Sequence, residues 1–364
     1  MDDIAVELTV EQATMPRLLA WLSLIPRQRC QRLVATIAGI VATTGWALVP
    51  HIALAASRSP FTPASPQAAD IRSLFWFVIV AAGVIFVVVE GALIYSAFAH
   101  RDRPGRVAAQ FSGNTRLEIA WTALPAILLA VVFVLTVRTM QQVGTPNGAT
   151  DPLVIHVVGH QFWWEFDYTN PKIVTANELH VPVGQPIVLE VTSADVIHSF
   201  WVPSISGKTD ANPGMVNTLY ITVDKPGTYL GQCAEFCGAG HTWMEIRVIA
   251  QTPVAYQAWV RDQEKPAATP SGGLAAQGEQ VFMSQTCKSC HTIDGTSAKG
   301  IVGPNLTHIG SRETIGAGVL TNTPTNMALW LKNPQAVKPG ARMPNFNLTP
   351  GQVKVLTAYL ESLR

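Results

Sequence analysis

A segment of twelve residues near the middle of the chain combines side chains that bind soft metals. It runs Cys233-Ala-Glu235-Phe-Cys237-Gly-Ala-Gly-His241-Thr-Trp-Met244, and it carries two thiols, an imidazole and a thioether. This set of donors selects copper over magnesium, calcium or manganese. Two thiolates four residues apart indicate more than one ion, because each thiolate is able to bridge a pair of metals.

A pair of metals needs a second imidazole, and we expect His198, in Asp195-Val-Ile-His198-Ser-Phe-Trp, to supply it. Two other interpretations fit the cysteines alone. They are a disulfide between Cys233 and Cys237, and an isolated zinc site. The histidine and methionine that follow the cysteines, and the strand-rich surroundings, favour copper.

A second cluster, Cys287-Lys-Ser-Cys290-His291, has the spacing of covalent haem attachment. Two thiols add to the haem vinyl groups, and the adjacent histidine ligates the iron. We expect Met343 as the sixth ligand, because Met/His ligation raises the potential into the range of electron transfer. A carbonyl of residues 303–306 is expected to accept the other ring N–H of His291. The alternative interpretations of the two cysteines are a redox dithiol and half of a zinc site, neither of which requires the adjacent histidine.

The elements that hold these clusters begin with membrane segments. Hydrophobic residues make up 48% of the 364 residues and charged residues only 13%, a composition that indicates membrane spans. Apolar stretches at about 74–98 and 119–138, within a predicted hairpin over 70–141, are long enough to cross a bilayer. Residues 1–56 resemble an export signal, although an uncleaved extra span is the alternative. The net charge of +1 gives no indication of nucleic-acid binding.

Between the two spans lie four arginines, at positions 101, 103, 106 and 116, and Asp102 is the only acid among them, so we expect this loop on the cytoplasmic side. Everything after the second span, including both clusters, is then expected on the periplasmic or outer face of the inner membrane. Residues 150–250 show short strand patterns separated by turn residues, and residues 274–364 show helical spacing. Residues 251–273, rich in Pro, Gly and Ala towards their end, are predicted to be a linker. Gly278 is expected to let the final helix approach closely.

Together these features resemble subunit II of haem-copper cytochrome c oxidases, in the subgroup with a cytochrome c domain fused at the C-terminal end. The motifs that carry the resemblance lie in order along nearly the whole mature chain. They are Leu117-Glu118-Ile-Ala-Trp121-Thr-Ala-Leu-Pro125, Gly159-His160-Gln161-Phe162-Trp163-Trp164, His198-Ser-Phe-Trp, the segment Cys233 to Met244, and the haem motif.

The resemblance implies a multidomain fold: a two-span transmembrane α-helical hairpin, a cupredoxin-like Greek-key β-barrel with a binuclear copper centre (CuA), and an all-α class I cytochrome c domain with one haem c. It implies that one set of residues ligates the copper pair, namely His198, Cys233, Cys237, His241, Met244 and the backbone carbonyl of Glu235. The side chain of Glu235 would reach a magnesium ion shared with subunit I.

The resemblance also implies a function and partners. The chain would take electrons from a donor cytochrome c or a bc-type complex and pass them to subunit I, where O2 is reduced to water with proton pumping. Subunit III would be a further partner. Glu118 matches an acid at the mouth of a proton path, with a solvated interfacial charge as the alternative. Where relatives carry Trp after Gly-His-Gln, this chain has Phe162, so electrons would enter there or at Trp163.

Two other functions use the same motifs. One is the corresponding subunit of a CuA-containing nitric oxide reductase, and the other is a freestanding membrane-anchored electron shuttle. Net charge adds one hypothesis about the domains: residues 150–250 have a net charge of −6 and residues 272–364 have +4. Opposite signs would steer one domain onto the other, although both totals would also be compatible with solvated faces that play no part in docking.

Overall fold

The computed structural model describes residues 58–101, 105, 113–144 and 151–364. It begins with two long helices that contact each other, α1 (Pro66–Ala99) and α2 (Thr115–Val143). Both are long and apolar enough to cross a membrane, with a mean hydropathy of 2.7 and 2.4 over an 18-residue window of each. They contain the two predicted spans. The predicted export signal and most of the arginine-rich loop lie outside the described residues.

Side chains define where these helices begin. The hydroxyl of Ser65 accepts the backbone N–H of Ala68 at the start of α1. The side chain of Asn114 accepts the N–H of Leu117 at the start of α2. Helix α2 continues through Pro125, although proline removes one backbone hydrogen bond. The second helix is therefore fixed at its start, directly before Glu118.

A domain of ten strands follows, arranged as two five-stranded sheets in the orders β3-β2-β1-β5-β8 and β4-β10-β9-β6-β7. The strands are β1 (Leu153–His160), β2 (Trp163–Tyr168), β3 (Ile173–Ala176), β4 (Glu178–Pro182), β5 (Pro186–Ser193), β6 (His198–Trp201), β7 (Thr209–Ala211), β8 (Asn217–Thr222), β9 (Gly227–Cys233) and β10 (Glu245–Gln251). The β1–β5 and β4–β10 pairs are parallel and the other strand pairs are antiparallel.

The core of this domain lies between the two sheets. Strands β1 and β5 alternate strictly between buried and partly exposed residues, the pattern of a sheet with one buried face. Trp164, Phe166 and Leu189 of one sheet and Leu179 and Ile246 of the other are fully buried in one cluster. The sequence patterns predict six strands, at 153–158, 162–168, 186–192, 217–223, 229–233 and 243–249, which match β1, β2, β5, β8, β9 and β10. They do not predict β3, β4, β6 or β7, because these strands are only three to five residues long and lack clear alternation.

The range 251–273 is not a linker throughout, which corrects the prediction. Its first part is helix α3 (Pro253–Gln263), whose Tyr256 and Val260 join the core of the β domain, with Trp259 packed beside them. These three residues recur at helical spacing and form one apolar face, and this face packs the helix against the β domain. At the end of this helix and just after it, the carbonyl oxygens of Gln263 and Lys265 lie 3.1 and 3.0 Å from Nε2 of His308 in the last domain.

The last domain is helical. Its helices are α4 (Gly273–Ser284), α5 (Cys287–Cys290), α6 (Pro324–Lys332), α7 (Pro334–Val337) and α8 (Pro350–Ser362), with a short hairpin of β11 (Thr314–Ile315) and β12 (Leu320–Thr321). Helices α4 and α8 cross at Gly278, where an added Cβ would lie 2.7 Å from the Cβ of Tyr359. The predicted close approach at Gly278 is confirmed. The predicted order of two apolar helices, a β domain and a helical domain is confirmed as well.

Candidate functional site

The sulfur and imidazole side chains predicted from the sequence meet at one end of the β domain. Cys233 ends β9, His198 begins the neighbouring β6, and Met244 directly precedes β10. The backbone N–H of Cys233 donates to the carbonyl of Met244 at 3.0 Å. Pairing of β6 with β9 places Phe200 beside Cys233. Residues from three strands are therefore held together by sheet hydrogen bonds.

Distances within this cluster suit metal ligation. The sulfurs of Cys233 and Cys237 are 3.9 Å apart, well beyond the bond length of about 2.05 Å in a disulfide. Nδ1 of His198 lies 3.9 Å from the Cys233 sulfur, and Nδ1 of His241 lies 3.6 Å from the Cys237 sulfur. The thioether of Met244 is 4.0 Å from the Cys237 sulfur. The ligand atoms of His198, Cys233 and Cys237 all lie within 4.8 Å of one another, and His241 and Met244 join this group through the Cys237 sulfur.

The backbone carbonyl of Glu235 also reaches the cluster. Its oxygen lies 3.2 Å from the Cys233 sulfur. The side chain of Glu235 is exposed, as is the neighbouring Phe236, which is 76% exposed. The loop between the two cysteines therefore turns one carbonyl inward and presents an acid and an aromatic ring outward.

The electrostatics of the cluster favour a thiolate at Cys233. A hydrogen bond from the Cys237 thiol lowers the pKa of Cys233, and His198 lowers it further, while burial opposes both. The same shared hydrogen bond raises the pKa of Cys237. Burial acts to lower the pKa of His198, but its hydrogen bonds with Cys233 and Asp195 raise it above the ordinary value.

Asp195 orients His198. Its carboxylate lies 2.8 Å from Nε2 of the ring, so Nδ1 is the nitrogen that faces the cysteines. A carboxylate in this position fixes the tautomer and orientation of a metal-binding histidine. Burial acts to raise the pKa of Asp195, yet hydrogen bonds from His198, Gln161 and Val196 hold it below the ordinary value. Sequence reasoning did not assign this role, although Asp195 stands only three residues before His198.

The second cluster lines a pocket in the helical domain. Cys287 and Cys290 lie on α5, His291 follows them, and Met343 lines the same pocket together with apolar side chains of α6 and α8. The carbonyl of Pro304 accepts a hydrogen bond from Nδ1 of His291 at 2.8 Å, as the sequence predicted. This bond leaves Nε2 as the nitrogen available to an iron atom.

Close packing and one unpaired group fit a haem in this pocket. An added Cβ on Gly303 would lie 2.9 Å from Nδ1 of His291, so glycine lets the chain pass beside the ring. Burial lowers the pKa of His291, which favours the neutral imidazole that ligates metals. Arg312 lines the pocket, and its buried Nε has no hydrogen-bond partner among the described residues. A haem carboxylate would provide one.

Phe162 and Trp163 lie between the two clusters. Both line the haem-type pocket, although they belong to the β domain. Phe162 is 5% exposed, and its ring lies where an added Cβ on Gly238 would meet it at 3.2 Å. The ring therefore contacts the loop that carries Cys237 and His241. Trp163 stacks on His160 with a centroid separation of 4.2 Å.

Three further residues join the loop before Met343 to the loops around the copper-type cluster. Lys338 is 3% exposed, and its Nζ donates to the carbonyls of Phe162 at 2.6 Å and Gly316 at 3.1 Å. Burial lowers the pKa of Lys338 to about 7. Arg342 donates to the side chain of Gln161, which in turn donates to the carbonyl of Cys237 at 2.7 Å. Sequence reasoning missed all three.

Glu118 stands apart from both clusters, in the first turn of α2. Its side chain is exposed, and its Oε1 lies 2.9 Å from where a Cβ on Gly113 would be. An acid in the first turn of a helix also interacts favourably with the helix dipole. The structure therefore places Glu118 at one end of an apolar helix.

Comparison with known proteins covers all three parts of the chain. Family models match for the transmembrane domain of cytochrome c oxidase subunit II over residues 60–138, for its periplasmic domain over residues 172–251, and for cytochrome c over residues 275–364. Cytochrome c oxidase subunit 2 of Alkalihalophilus pseudofirmus is 36% identical over 309 residues, covering 83% of this chain and 90% of that protein.

Two further similarities have lower sequence identity, and the second of them covers a smaller part of this chain. Cytochrome c oxidase subunit 2 of Bacillus subtilis is 32% identical over 343 residues, covering 87% of this chain and 96% of that protein. The crystal structure of the periplasmic domain of subunit II of a cytochrome oxidase from Bradyrhizobium japonicum is 31% identical. It covers 32% of this chain and 96% of that one, with a TM-score of 0.31.

Proposed function

Because this chain belongs to the cytochrome c oxidase subunit II family and ends in a cytochrome c domain, we propose that it is the subunit through which electrons enter a respiratory terminal oxidase. It would accept electrons from a donor cytochrome c or a bc-type complex and deliver them to subunit I. That subunit would reduce O2 to water and pump protons, with subunit III as a further partner.

The residues present fit the two groups that this function needs. His198, Cys233, Cys237, His241 and Met244 supply soft donors for a binuclear copper centre, together with the carbonyl of Glu235. Cys287, Cys290, His291 and Met343 would hold one covalent haem c. When bound, both groups supply one-electron redox chemistry. The protein fixes their ligands and limits access of water.

One observation carries this proposal: Phe162 contacts both sites. Its ring packs at Gly238 on the loop that carries Cys237 and His241, which we call the copper loop. The same ring lines the pocket that contains Cys287, Cys290 and His291, the haem pocket. We propose Phe162 as the residue at which electrons reach the copper domain, with Trp163 beside it as the alternative. A buried aromatic ring between the two pockets excludes water from the gap, because it fills that space with apolar atoms.

Two acids have proposed roles at contacts with subunit I. The exposed side chain of Glu235, on the copper loop, would reach a magnesium ion shared with that subunit. The exposed Glu118, at the start of α2, would stand at the mouth of a proton path. Its place in the first turn of an apolar helix supports this role, since ionisable groups at membrane boundaries are functional candidates.

The arginines between the helices support one orientation in the membrane. We propose that the loop between α1 and α2 is cytoplasmic and that the β domain and the cytochrome domain lie on the periplasmic or outer face of the inner membrane. Copper insertion and haem attachment would then take place outside the cytoplasm. The donor would bind on the same face.

The intact oxidase, purified in detergent, tests this function. Metal and haem analysis is expected to give two copper atoms in this subunit for each covalent haem c. Rapid mixing with reduced cytochrome c, followed at separate haem and copper absorption bands, should show that the haem is reduced before the copper. A single copper atom or a zinc ion in the subunit would contradict the binuclear assignment.

The same preparation distinguishes the other two functions. Co-purification with a subunit that reduces O2 supports the oxidase, whereas a partner that reduces nitric oxide instead would identify a nitric oxide reductase. If the chain purified alone with stably bound metals, the freestanding electron shuttle would be favoured.

A further inference from the structure

The cytochrome domain contacts the β domain through an acid that neither pocket uses. Glu178, the first residue of β4, is 1% exposed. One oxygen of its carboxylate accepts the backbone N–H and the hydroxyl of Thr314, both at 2.7 Å. The other oxygen accepts the backbone N–H of Glu313 at 3.0 Å. Both oxygens of a buried acid in one domain are therefore bonded to consecutive residues of the other.

The charges around this contact are complementary. Arg247 on β10 is the strand partner of Glu178 on β4. On the cytochrome domain, Arg312 and Glu313 present a base and an acid in return. Arg247 pairs with Glu313 at 2.8 Å, and the charge of Arg312 opposes the rise in the pKa of Glu178 that burial causes. An acid and a base on each domain thus face their opposites.

Further contacts lie between these charges and the cofactor pockets. The backbone N–H of Glu245 donates to the carbonyl of Ala317 at 3.2 Å. Trp163 and Ala176 of the β domain form a small buried cluster with Ala317 of the cytochrome domain. Because Trp163 also lines the haem pocket, the position of residues 313–317 is linked to the way the pocket meets the β domain.

We propose that Glu178 is the positioning residue that holds the cytochrome domain on the copper domain, by binding residues 313–314. Hydrogen bonds to an ionised acceptor are shorter and stronger than neutral ones. Three of them on one carboxylate fix an orientation that a short linker alone leaves free. The role in electron transfer rests on the proposed function, because a fixed cytochrome domain keeps the haem pocket against Phe162 and Trp163.

The test uses the intact oxidase with two variants on opposite sides of the contact. Glu178→Gln replaces one acceptor oxygen with an amide that cannot accept, and Thr314→Val removes one hydroxyl donor from the other domain. Hydrogen–deuterium exchange of the amides at residues 313–314 is expected to accelerate in Glu178→Gln by about tenfold or more, which is equivalent to about 1.4 kcal/mol. Thr314→Val should have a smaller effect, and the effects of the two changes should not add.

A second readout separates positioning from general stability. Electron transfer from haem to copper, followed by rapid mixing, should slow in Glu178→Gln, while the haem potential and the copper absorption spectrum stay unchanged. The matched control is Glu190→Gln, a partly exposed acid on β5 whose side chain pairs with His156. This control should exchange and transfer electrons like the wild type.

Three results would overturn the proposal. The first is unchanged exchange at residues 313–314 in Glu178→Gln. The second is faster exchange with an unchanged rate between the cofactors, since the acid would then position nothing that matters to transfer. The third applies if Glu178→Gln loosens the whole β domain and so cannot be interpreted. In that case Thr314→Val is the test, and wild-type exchange at residues 313–314 in Thr314→Val would overturn the proposal. Failure of the proposed function is distinguishable, because it would appear in the wild-type protein as an absence of haem-to-copper transfer.

Discussion

The substitution Gly278→Ala is a direct measure of how closely the first and last long helices of the cytochrome domain pack. Gly278 is buried on α4, facing α8. An alanine Cβ there would lie 2.7 Å from the Cβ of Tyr359 and from the carbonyl carbon of Val355. Carbon atoms pack at about 3.5–4.0 Å, so the helices would have to separate by about 1 Å.

The expected cost follows from two opposing effects. Forcing an extra methyl group into a packed core costs about 1–3 kcal/mol, and here the backbone of Val355 is unable to rotate away as a side chain would. Replacing glycine by alanine inside a helix returns about 1 kcal/mol. The two effects together give a net loss of stability of up to about 2 kcal/mol, and we expect a value near this upper end. In a domain of about 90 residues this lowers Tm by about 8–16 °C.

Thermal unfolding of the detergent-purified protein, followed by haem absorbance, measures this loss in the cytochrome domain alone. The matched control is Gly351→Ala in the first turn of α8, where an added Cβ meets only the hydroxyl oxygen of Thr349, at 4.0 Å. That change should stabilise the domain by about 0.4–1 kcal/mol. If Gly278→Ala melted at or above the wild-type temperature, the close crossing of α4 and α8 would be refuted.

Three other predictions concern the contacts around the two pockets. Burial lowers the pKa of Lys338 to about 7, whereas an exposed lysine titrates near 10.4, so contact between the domains should weaken as pH falls from about 10 to 7 and change little below that. The measurement is the protection of residues 313–318 from hydrogen exchange in the wild type, divided by the protection of the same residues in Lys338→Met at the same pH. This ratio should rise with pH by up to about tenfold per pH unit between about 7 and 10. A ratio that does not change with pH would contradict a role for the charge of Lys338 in the contact. Asp195→Asn should reduce copper affinity by about 10–100-fold, measured by competition with a chelator, and unchanged affinity would show that the carboxylate does not support His198. Phe162→Leu should slow electron transfer from haem to copper in rapid-mixing experiments without altering the copper spectrum, and an unchanged rate would shift the assignment to Trp163.

The grouping of the donor side chains in each pocket was predictable, because most of them are close together in the chain. Cys233, Cys237, His241 and Met244 lie within twelve residues, and the haem motif spans five. Short spacing brings such side chains to one point in almost any loop that turns back on itself. The hydrogen bond from His291 to the carbonyl of Pro304 was predictable for the same reason, since the two residues are only 13 positions apart.

Predictions were weaker where an element lacks a periodic pattern. Strands β4, β6 and β7 have three to five residues, and the burial of each depends on which strand becomes its neighbour. Helix α3 was included in a linker, because the Pro-, Gly- and Ala-rich residues that follow it dominate that part of the sequence. Its apolar residues Tyr256, Trp259 and Val260 were a usable signal that the interpretation overlooked.

By itself, the sequence determined the class of each domain, the metals that its donors select and the order of the domains along the chain. Only the tertiary structure decided how the two pockets meet. Glu178 and Glu313 are 135 residues apart, and Lys338 and Phe162 are 176 residues apart. Opposite net charges of the domains indicated attraction but no partner, since Coulomb forces between domains carry little information about orientation. Short hydrogen bonds between buried groups do carry that information, and they form only once both domains have folded.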